Sequence, residues 1–398
     1  MTQITAEDLL RRGAERHRQG RIEEAESFYR RALRLTPNHP DALNLLGVAA
    51  RQRGDLAAAL DFSERALRAM PDQPGFQANR GATLAEAGRL AEALPLLRAA
   101  AEARAGDAVA WRNLGQALAQ AGQAAAAIPV LERATALDPA SPEAALMLAH
   151  ARREAGQSEP AREAARQALA LAGRTPALAD QARFLLAALG EGEAPARAPA
   201  TYVRELFDAF APRFDAELEG ALGYRTPALL AGMLGVGQRG RVLDLGCGTG
   251  LSGLALRPLA ARLEGVDLSP RMLAEARARG CYDALHEADL LEFLPRRAAA
   301  WDAIMAADVL NYLGDLAPVF AAMRHALRPG GGAAFSLEAG EAPVALGEGL
   351  RYRHNPEHVA EMLAAAGFAV LDRKAATLRR ERGGEVEGVL FLVGAQGG

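Results

Sequence analysis

The sequence predicts two folds in one chain: an all-α helical-repeat solenoid over residues 1–189, and an α/β domain with a seven-stranded, mostly parallel sheet over 201–398. Three observations predict this. Glycine recurs at a fixed period through the first half. Short apolar runs alternate with amphipathic stretches through the second. Between them GEGEAPARAPA (190–200) combines Gly, Pro and Ala without apolar periodicity, the composition of a linker.

In the first half Gly20, Gly54, Gly88, Gly122 and Gly156 stand 34 residues apart. Gly13, Gly47, Gly81 and Gly115 keep the same register, with Ala149 in the fifth copy. Ala25, Ala59, Ala93, Ala127 and Ala161 form another column, and Ala32, Ala66, Ala100, Ala134 and Ala168 a further one. Each column has a physical reason. A small residue on a first helix lets a second helix cross closely. The glycine that follows ends the first helix in the left-handed conformation, which is cheap only for Gly. The alanines face back from the second helix. Pro37, Pro71 and Pro139 close units because proline cannot continue the hydrogen-bond ladder.

This pattern resembles the tetratricopeptide repeat, a helix pair of 34 residues. The resemblance covers about residues 6–175 and implies five repeats, with Trp111 in the aromatic position. Residues 177–189 read as a terminal capping helix. Such arrays offer a concave face to extended partners, so a protein or peptide partner is expected there. Asn79 and Asn113 occupy equivalent first-helix positions, which in this family contact a peptide backbone; Leu45 and Met147 replace them in repeats two and five. The cluster Arg11, Arg12, Arg16, Arg18 and Arg21, interspersed with Glu15, Glu23 and Glu24, reads as a solvated, ion-paired helix face.

The second half opens with an amphipathic, aromatic-rich helical cap (201–235). RVLDL then runs into GCGTG, and LSGLALRPL follows as a helix. Further strands end at Asp267, near Asp289 and near Asp308; GGGAAFSLE, GFAVLDRK and VEGVLFLVG complete the sheet. Alternation of this kind places a ligand beyond the carboxyl ends of the strands. The spacing at Gly246, Gly248 and Gly250 lets backbone approach a ligand closely. An acid at the end of the second strand, Asp267, can accept both hydroxyls of a ribose. A dinucleotide fits this glycine spacing and the later acids poorly.

VLDLGCGTG resembles the first motif of class I methyltransferases, so the resemblance implies a Rossmann-like domain that binds S-adenosyl-L-methionine and transfers its methyl group. On that resemblance Asp244, Leu245, Gly246, Cys247, Gly248 and Gly250 form the first cofactor contact. Asp267 and Leu268 in GVDLSPRML, with Met272 behind them, take the ribose. Asp289 and Leu290 take the adenine, and Ala307 and Asp308 border the methionine part. RHALRPGGGAAFS matches the turn before the fifth strand. The cap resembles that of methyltransferases in which Tyr202, Phe207, Phe214, Tyr224 and Arg225 fold over the cofactor.

In-line methyl transfer requires alignment and exclusion of water more than a nucleophilic side chain. The candidates near the acceptor are Tyr312, after the fourth strand, and His354, a candidate base. The acceptor is a small molecule or a protein; the alternative is a non-catalytic scaffold with a degenerate or cofactor-sensing domain. Composition narrows the partners. Residues 191–398 carry 22 basic against 27 acidic side chains, which weighs against nucleic acid. Two cysteines, Cys247 and Cys281, indicate a reducing compartment and no metal site. No apolar run is long enough for a membrane span and Met1–Arg12 is polar, so a cytoplasmic protein is expected.

Overall fold

The computed structural model describes residues 4–173, 175–216, 224–235, 239–381 and 384–396, so part of the helical cap expected over 201–235 lies outside the described residues. The chain divides into two compact units, Met1–Gly173 and Arg174–Gly398.

The first unit is a series of helix pairs: α1 (Ala6–Arg18) with α2 (Ile22–Leu35), α3 (Pro40–Gln52) with α4 (Leu56–Ala69), α5 (Pro74–Glu86) with α6 (Leu90–Ala103), α7 (Ala108–Gln120) with α8 (Ala124–Leu137), and α9 (Pro142–Glu154) with α10 (Ser158–Leu171). The five period glycines have φ between 70° and 78°. Each ends a first helix in the same way. After α1, Gly20 N donates to His17 O (2.9 Å) and Arg21 N to Arg16 O (2.9 Å), which satisfies two carbonyls the helix leaves open. Asp55, Arg89, Gln123 and Gln157 repeat the second bond. Nothing lies within 4 Å of a Cβ built on Gly20, Gly54, Gly88, Gly122 or Gly156, so backbone conformation alone selects glycine there.

The earlier glycine column is selected by packing instead. A Cβ on Gly13 would stand 2.3 Å from Tyr29, on Gly81 2.7 Å from Leu97, and on Gly115 2.5 Å from Leu131. Gly47 differs, since its nearest contact would be 3.4 Å away. The alanine columns, Ala25 to Ala161 and Ala32 to Ala168, are buried where paired helices cross. Three arginines of this cluster are paired at the surface: Arg11 with Asp8, Arg18 with Glu15, and Arg21 with Glu24.

The second unit begins one helix earlier than the sequence suggests. α11 (Pro176–Ala188), expected to cap the repeats, belongs to it. Phe184 of α11 packs its ring on Tyr202 and Tyr352. α11 also sits one full period after α9, and Gly190 (φ 85°) ends it as the other period glycines do. Residues 190–200, expected as a linker, are hydrogen-bonded to the same unit: Ala198 N donates to Tyr312 O, and Gly314 N and Asp315 N to Ala196 O, each at 2.8 Å.

The sheet has nine strands among the described residues, two more than expected. They are β1 (Arg239–Leu245), β2 (Ala260–Asp267), β3 (Ala284–Glu287), β4 (Trp301–Ala306), β5 (Leu327–Ala339), β6 (Val344–Leu346), β7 (Tyr352–His354), β8 (Phe368–Glu381) and β9 (Gly384–Ala395). Their order is β3-β2-β1-β4-β5-β7-β6, with β9 antiparallel between β5 and β8. The two extra strands are the short β6 and β7. β4 covers one edge of β5 only as far as Phe335; beyond it on that edge Glu338 and Ala339 pair with β7, while β9 runs along the other edge from Gly332 to Glu338. The excess length of β5 thus creates the pairing that an irregular-looking LGEGLRYRHN segment could not reveal.

Helices cover both faces. One core places Leu243, Leu245, Ile304 and Phe335 against α18 (Ala317–Ala326) and α19 (Pro356–Ala365). The other places Val242, Leu263, Met305 and Leu390 against α14 (Thr226–Leu234) and α15 (Leu251–Leu256). The remaining helices are α12 (Ala200–Phe210), α13 (Phe214–Ala216), α16 (Pro270–Arg279) and α17 (Leu290–Phe293). Among the described residues no helix is long and apolar enough to cross a membrane.

Candidate functional site

β1 ends in a turn that only glycine can build. Gly246, Gly248 and Gly250 have φ of 72°, 52° and 93°. The nitrogens of Gly246 and Cys247 both donate to Val266 O of β2, at 2.8 and 3.0 Å, which folds the turn over the strand ends. A Cβ on Gly246 would sit 2.5 Å from Val309. On Gly248 it would meet nothing nearer than Phe214 at 4.0 Å, because this backbone borders a cavity of about 460 Å³. Both glycines line that cavity.

Asp267, at the end of β2, also lines it. Its Oδ2 accepts from Gly248 N (2.9 Å) and its Oδ1 from Ser269 N (2.8 Å), so the carboxylate is fixed before any ligand arrives. Burial pushes its pKa up. Leu268, Asp289, Leu290, Ala307 and Asp308 line the same cavity. Asp289 caps α17 through Leu291 N and takes an ion pair from Arg197 at 2.8 Å. Asp308 has a left-handed backbone, φ 55°, unusual for a residue with a Cβ. Ser336 holds it twice: Asp308 N donates to Ser336 Oγ, and Ser336 Oγ to Asp308 Oδ1, both at 2.8 Å. Oδ2 of Asp308 accepts no hydrogen bond of ordinary length among the described residues, and the Tyr224 hydroxyl faces this carboxylate. Burial raises the pKa of both groups.

Tyr312 lines the cavity with its ring edge-on to Phe207, centroids 5.5 Å apart. The rest of the wall is apolar: Val203, Leu206, Phe207 and Phe210 from α12, and Phe214 from α13. α12 has no fully buried residue. Two polar ties hold this segment down. Ser269 Oγ donates to Asp208 at 2.5 Å. Thr249 Oγ1 donates to Asp215 at 2.6 Å, and Arg279 pairs with the same carboxylate.

Other residues singled out in the sequence lie elsewhere. Asp244 stands behind the glycine turn, not on the cavity. Its Oδ2 accepts from Ser252 Oγ and the Tyr282 hydroxyl, each at 2.6 Å, and burial lifts its pKa to about 6. It braces the turn against α15 from within. Leu245, Cys247 and Met272 are buried core residues. Gly250 is the cap residue of α15, and Arg225 that of α14. Tyr202 packs its ring at 56° to that of Phe184, centroids 5.4 Å apart. His354 is buried on β7 with Nε2 3.2 Å from Gly314 O, so the ring faces that carbonyl, and burial lowers its pKa.

Sequence reasoning missed Arg197, Arg351 and Arg379, all on the cavity. Arg197 lay in the segment read as a linker. Arg379 follows a register shift between Thr377 and Arg379 in β8, so strand alternation from Phe368 does not forecast which way it faces. Among the described residues no group of three or more His, Cys, Asp or Glu could hold a metal ion.

Comparison with known proteins agrees with this architecture. A family model described as a methyltransferase domain matches residues 242–331, and tetratricopeptide repeat models match 10–74 and 108–151. Over 100 residues the chain is 34% identical to a ubiquinone biosynthesis O-methyltransferase of Aromatoleum aromaticum, covering 24% of this chain and 43% of that protein. Over 162 residues it is 29% identical to a malonyl-[acyl-carrier protein] O-methyltransferase of Enterobacter lignolyticus, covering 41% of this chain and 63% of that protein. The chain thus spans less than two thirds of the length of these relatives. A tetratricopeptide protein of Thermus thermophilus is 24% identical, with a TM-score of 0.39 over 45% of this chain and 97% of that one.

Proposed function

From a chain that joins tetratricopeptide repeats to a methyltransferase domain, we propose an S-adenosyl-L-methionine-dependent methyltransferase that methylates an oxygen acceptor and holds a protein or peptide partner on its repeats. One observation carries the reading. Gly246 and Gly248 keep side chains out of the cavity while Gly248 N fixes the Asp267 carboxylate beside them. A cradle without Cβ atoms next to an oriented carboxylate suits a ribose whose two hydroxyls need acceptors.

Residues that support the cofactor are then assignable. Asp267 accepts the ribose hydroxyls. Asp289 and Leu290 border the adenine. Gly246, Gly248, Ala307 and Asp308 leave room for the methionine part. The cofactor supplies an electrophilic methyl on a sulfonium, which departs with the S–C bond electrons as a neutral thioether. Phe207, Phe210 and Phe214 exclude water from the reacting atoms. Asp308 Oδ2 takes the proton that a hydroxyl acceptor loses, helped by a carboxyl whose burial raises its proton affinity. The names of the relatives favour oxygen as the acceptor atom.

Isothermal titration with S-adenosylmethionine and S-adenosylhomocysteine tests the reading. Both bind, and Asp267→Ala weakens each by about 10–100-fold, the loss of charge-assisted hydrogen bonds. Absence of binding by folded protein would leave a scaffold whose second domain is degenerate.

A further inference from the structure

One tyrosine stands beneath the glycine turn. Tyr282 lies between α16 and β3 and does not line the cavity. Its ring fills a slot that three glycines leave open. A Cβ on Gly253, inside α15, would stand 2.4 Å from Tyr282 Cζ. On Gly265, inside β2, it would stand 3.0 Å from Cε1. On Gly250, the cap of α15, it would stand 3.1 Å from Cε2. Glycine weakens the interior of a helix and of a strand alike. The room left for one ring accounts for it in both.

The Tyr282 hydroxyl donates to Asp244 Oδ2 at 2.6 Å, and Ser252 Oγ donates to the same oxygen at 2.6 Å. Asp244 Oδ1 has no hydrogen-bond partner among the described residues. Ser252 belongs to α15, which continues from the turn and moves with it. Among the described residues Tyr282 is therefore the one side chain that ties the Asp244 carboxylate to a segment outside β1, the turn and α15.

Little else sets the height of the turn. On the cavity side a Cβ on Gly248 meets nothing nearer than Phe214 at 4.0 Å. Beneath, Gly246 N and Cys247 N hang on Val266 O. Cys247 Sγ and the Tyr282 ring close over Gly265 together, since a Cβ there would meet both within 3.0 Å. Gly248 N holds Asp267 Oδ2 at 2.9 Å. A turn that sank into an emptied slot would carry Gly248 N away from that carboxylate.

We propose that Tyr282 is a positioning residue for the cofactor: it sets the height of the glycine turn, and through Gly248 N the aim of the Asp267 carboxylate at the ribose. The proposal rests on the cofactor reading above and adds to it a residue that touches no ligand.

Isothermal titration of the full chain with S-adenosylhomocysteine and with its 2′-deoxyribose analogue isolates the ribose contact. Wild type prefers the ribose form by about 10–100-fold, the size of a charge-assisted hydrogen bond. Tyr282→Leu empties part of the slot, and the preference falls below about threefold. Phe391 is buried on β9 against Phe335 and does not line the cavity. Phe391→Leu lowers the melting temperature of the same unit and leaves the preference as in wild type, so lost stability alone does not move this ratio. Tyr282→Phe keeps the ring, loses the bond to Asp244, and lowers the preference by about threefold. A preference unchanged in Tyr282→Leu, or lost equally in Phe391→Leu, overturns the proposal and leaves cofactor binding standing. Equal binding of the two forms by wild type overturns the ribose assignment and the proposal together, and failure to bind either overturns the methyltransferase reading as well. Should Tyr282→Leu not fold, Tyr282→Phe decides: a preference equal to that of wild type overturns the proposal.

Discussion

Asp244 and Asp267 are aspartates of one motif region with different surroundings. Asp267 faces the cavity with its oxygens on backbone N–H groups. Asp244 is buried behind the turn, and its Oδ1 has no hydrogen-bond partner among the described residues. Its pKa is raised from 3.8 to about 6 by burial. A carboxyl raised on folding contributes stability below its unfolded pKa and loses it as pH rises through the folded value. Asp244→Asn cannot titrate and can still accept from Ser252 and Tyr282. Its stability relative to wild type therefore rises by about 1–3 kcal/mol between pH 4 and pH 7. Thermal melts of both proteins across that range measure the difference; a constant gap would show that the Asp244 pKa is not raised. At this scale the glycines and acids of the cavity were legible, because motif spacing reports strand ends. What the sequence withheld was direction. Asp244 turns inward to a tyrosine 38 residues away, and Arg379 turns to the cavity only because β8 slips register beside it. Neither partner is local in the chain.

At the scale of elements, period revealed the helices but not the reason for each glycine. Gly115 and Gly47 occupy the same column yet differ in surroundings. Gly115→Ala forces Leu131 to move and destabilises its unit by about 1–3 kcal/mol from overpacking, less the gain in helix propensity. Gly47→Ala meets ordinary van der Waals contact at 3.4 Å and is neutral or stabilising by up to about 1 kcal/mol. Circular-dichroism melts distinguish the two, and equal effects would refute the packing argument. The strands β1 to β5, though not their order, followed from alternation of apolar runs and helices. β6 and β7 did not, since three-residue strands carry no period to read. Their existence depends on β5 outrunning β4, a property of the assembled sheet.

At the scale of the molecule, two units with separate cores should respond separately to ligand. In calorimetry of the full chain, S-adenosylhomocysteine at about 100 times its Kd stabilises the second unit by about 2.7 kcal/mol. The transition of the repeat unit stays where it was. A shift of both transitions together would mean that the units unfold as one. The repeat half and the methyltransferase half were each recognisable from sequence. The seam between them was misplaced because composition alone was used to find it. Gly and Pro at 190–200 resemble a tether, yet the backbone there is bonded to residues 312–315 and Tyr352 donates to Pro195 O at 2.5 Å.

That seam bears on ancestry. α11 keeps the 34-residue spacing of the array, down to its closing glycine, while its aromatic face belongs to the other unit. A recombination event joining such a catalytic module to a different array would break the Phe184 contacts if it crossed over at the proline-rich stretch, and would spare them if it crossed over before Pro176. Lineages that exchanged or lost their repeats are thus expected to retain this helix as an heirloom beside the methyltransferase domain.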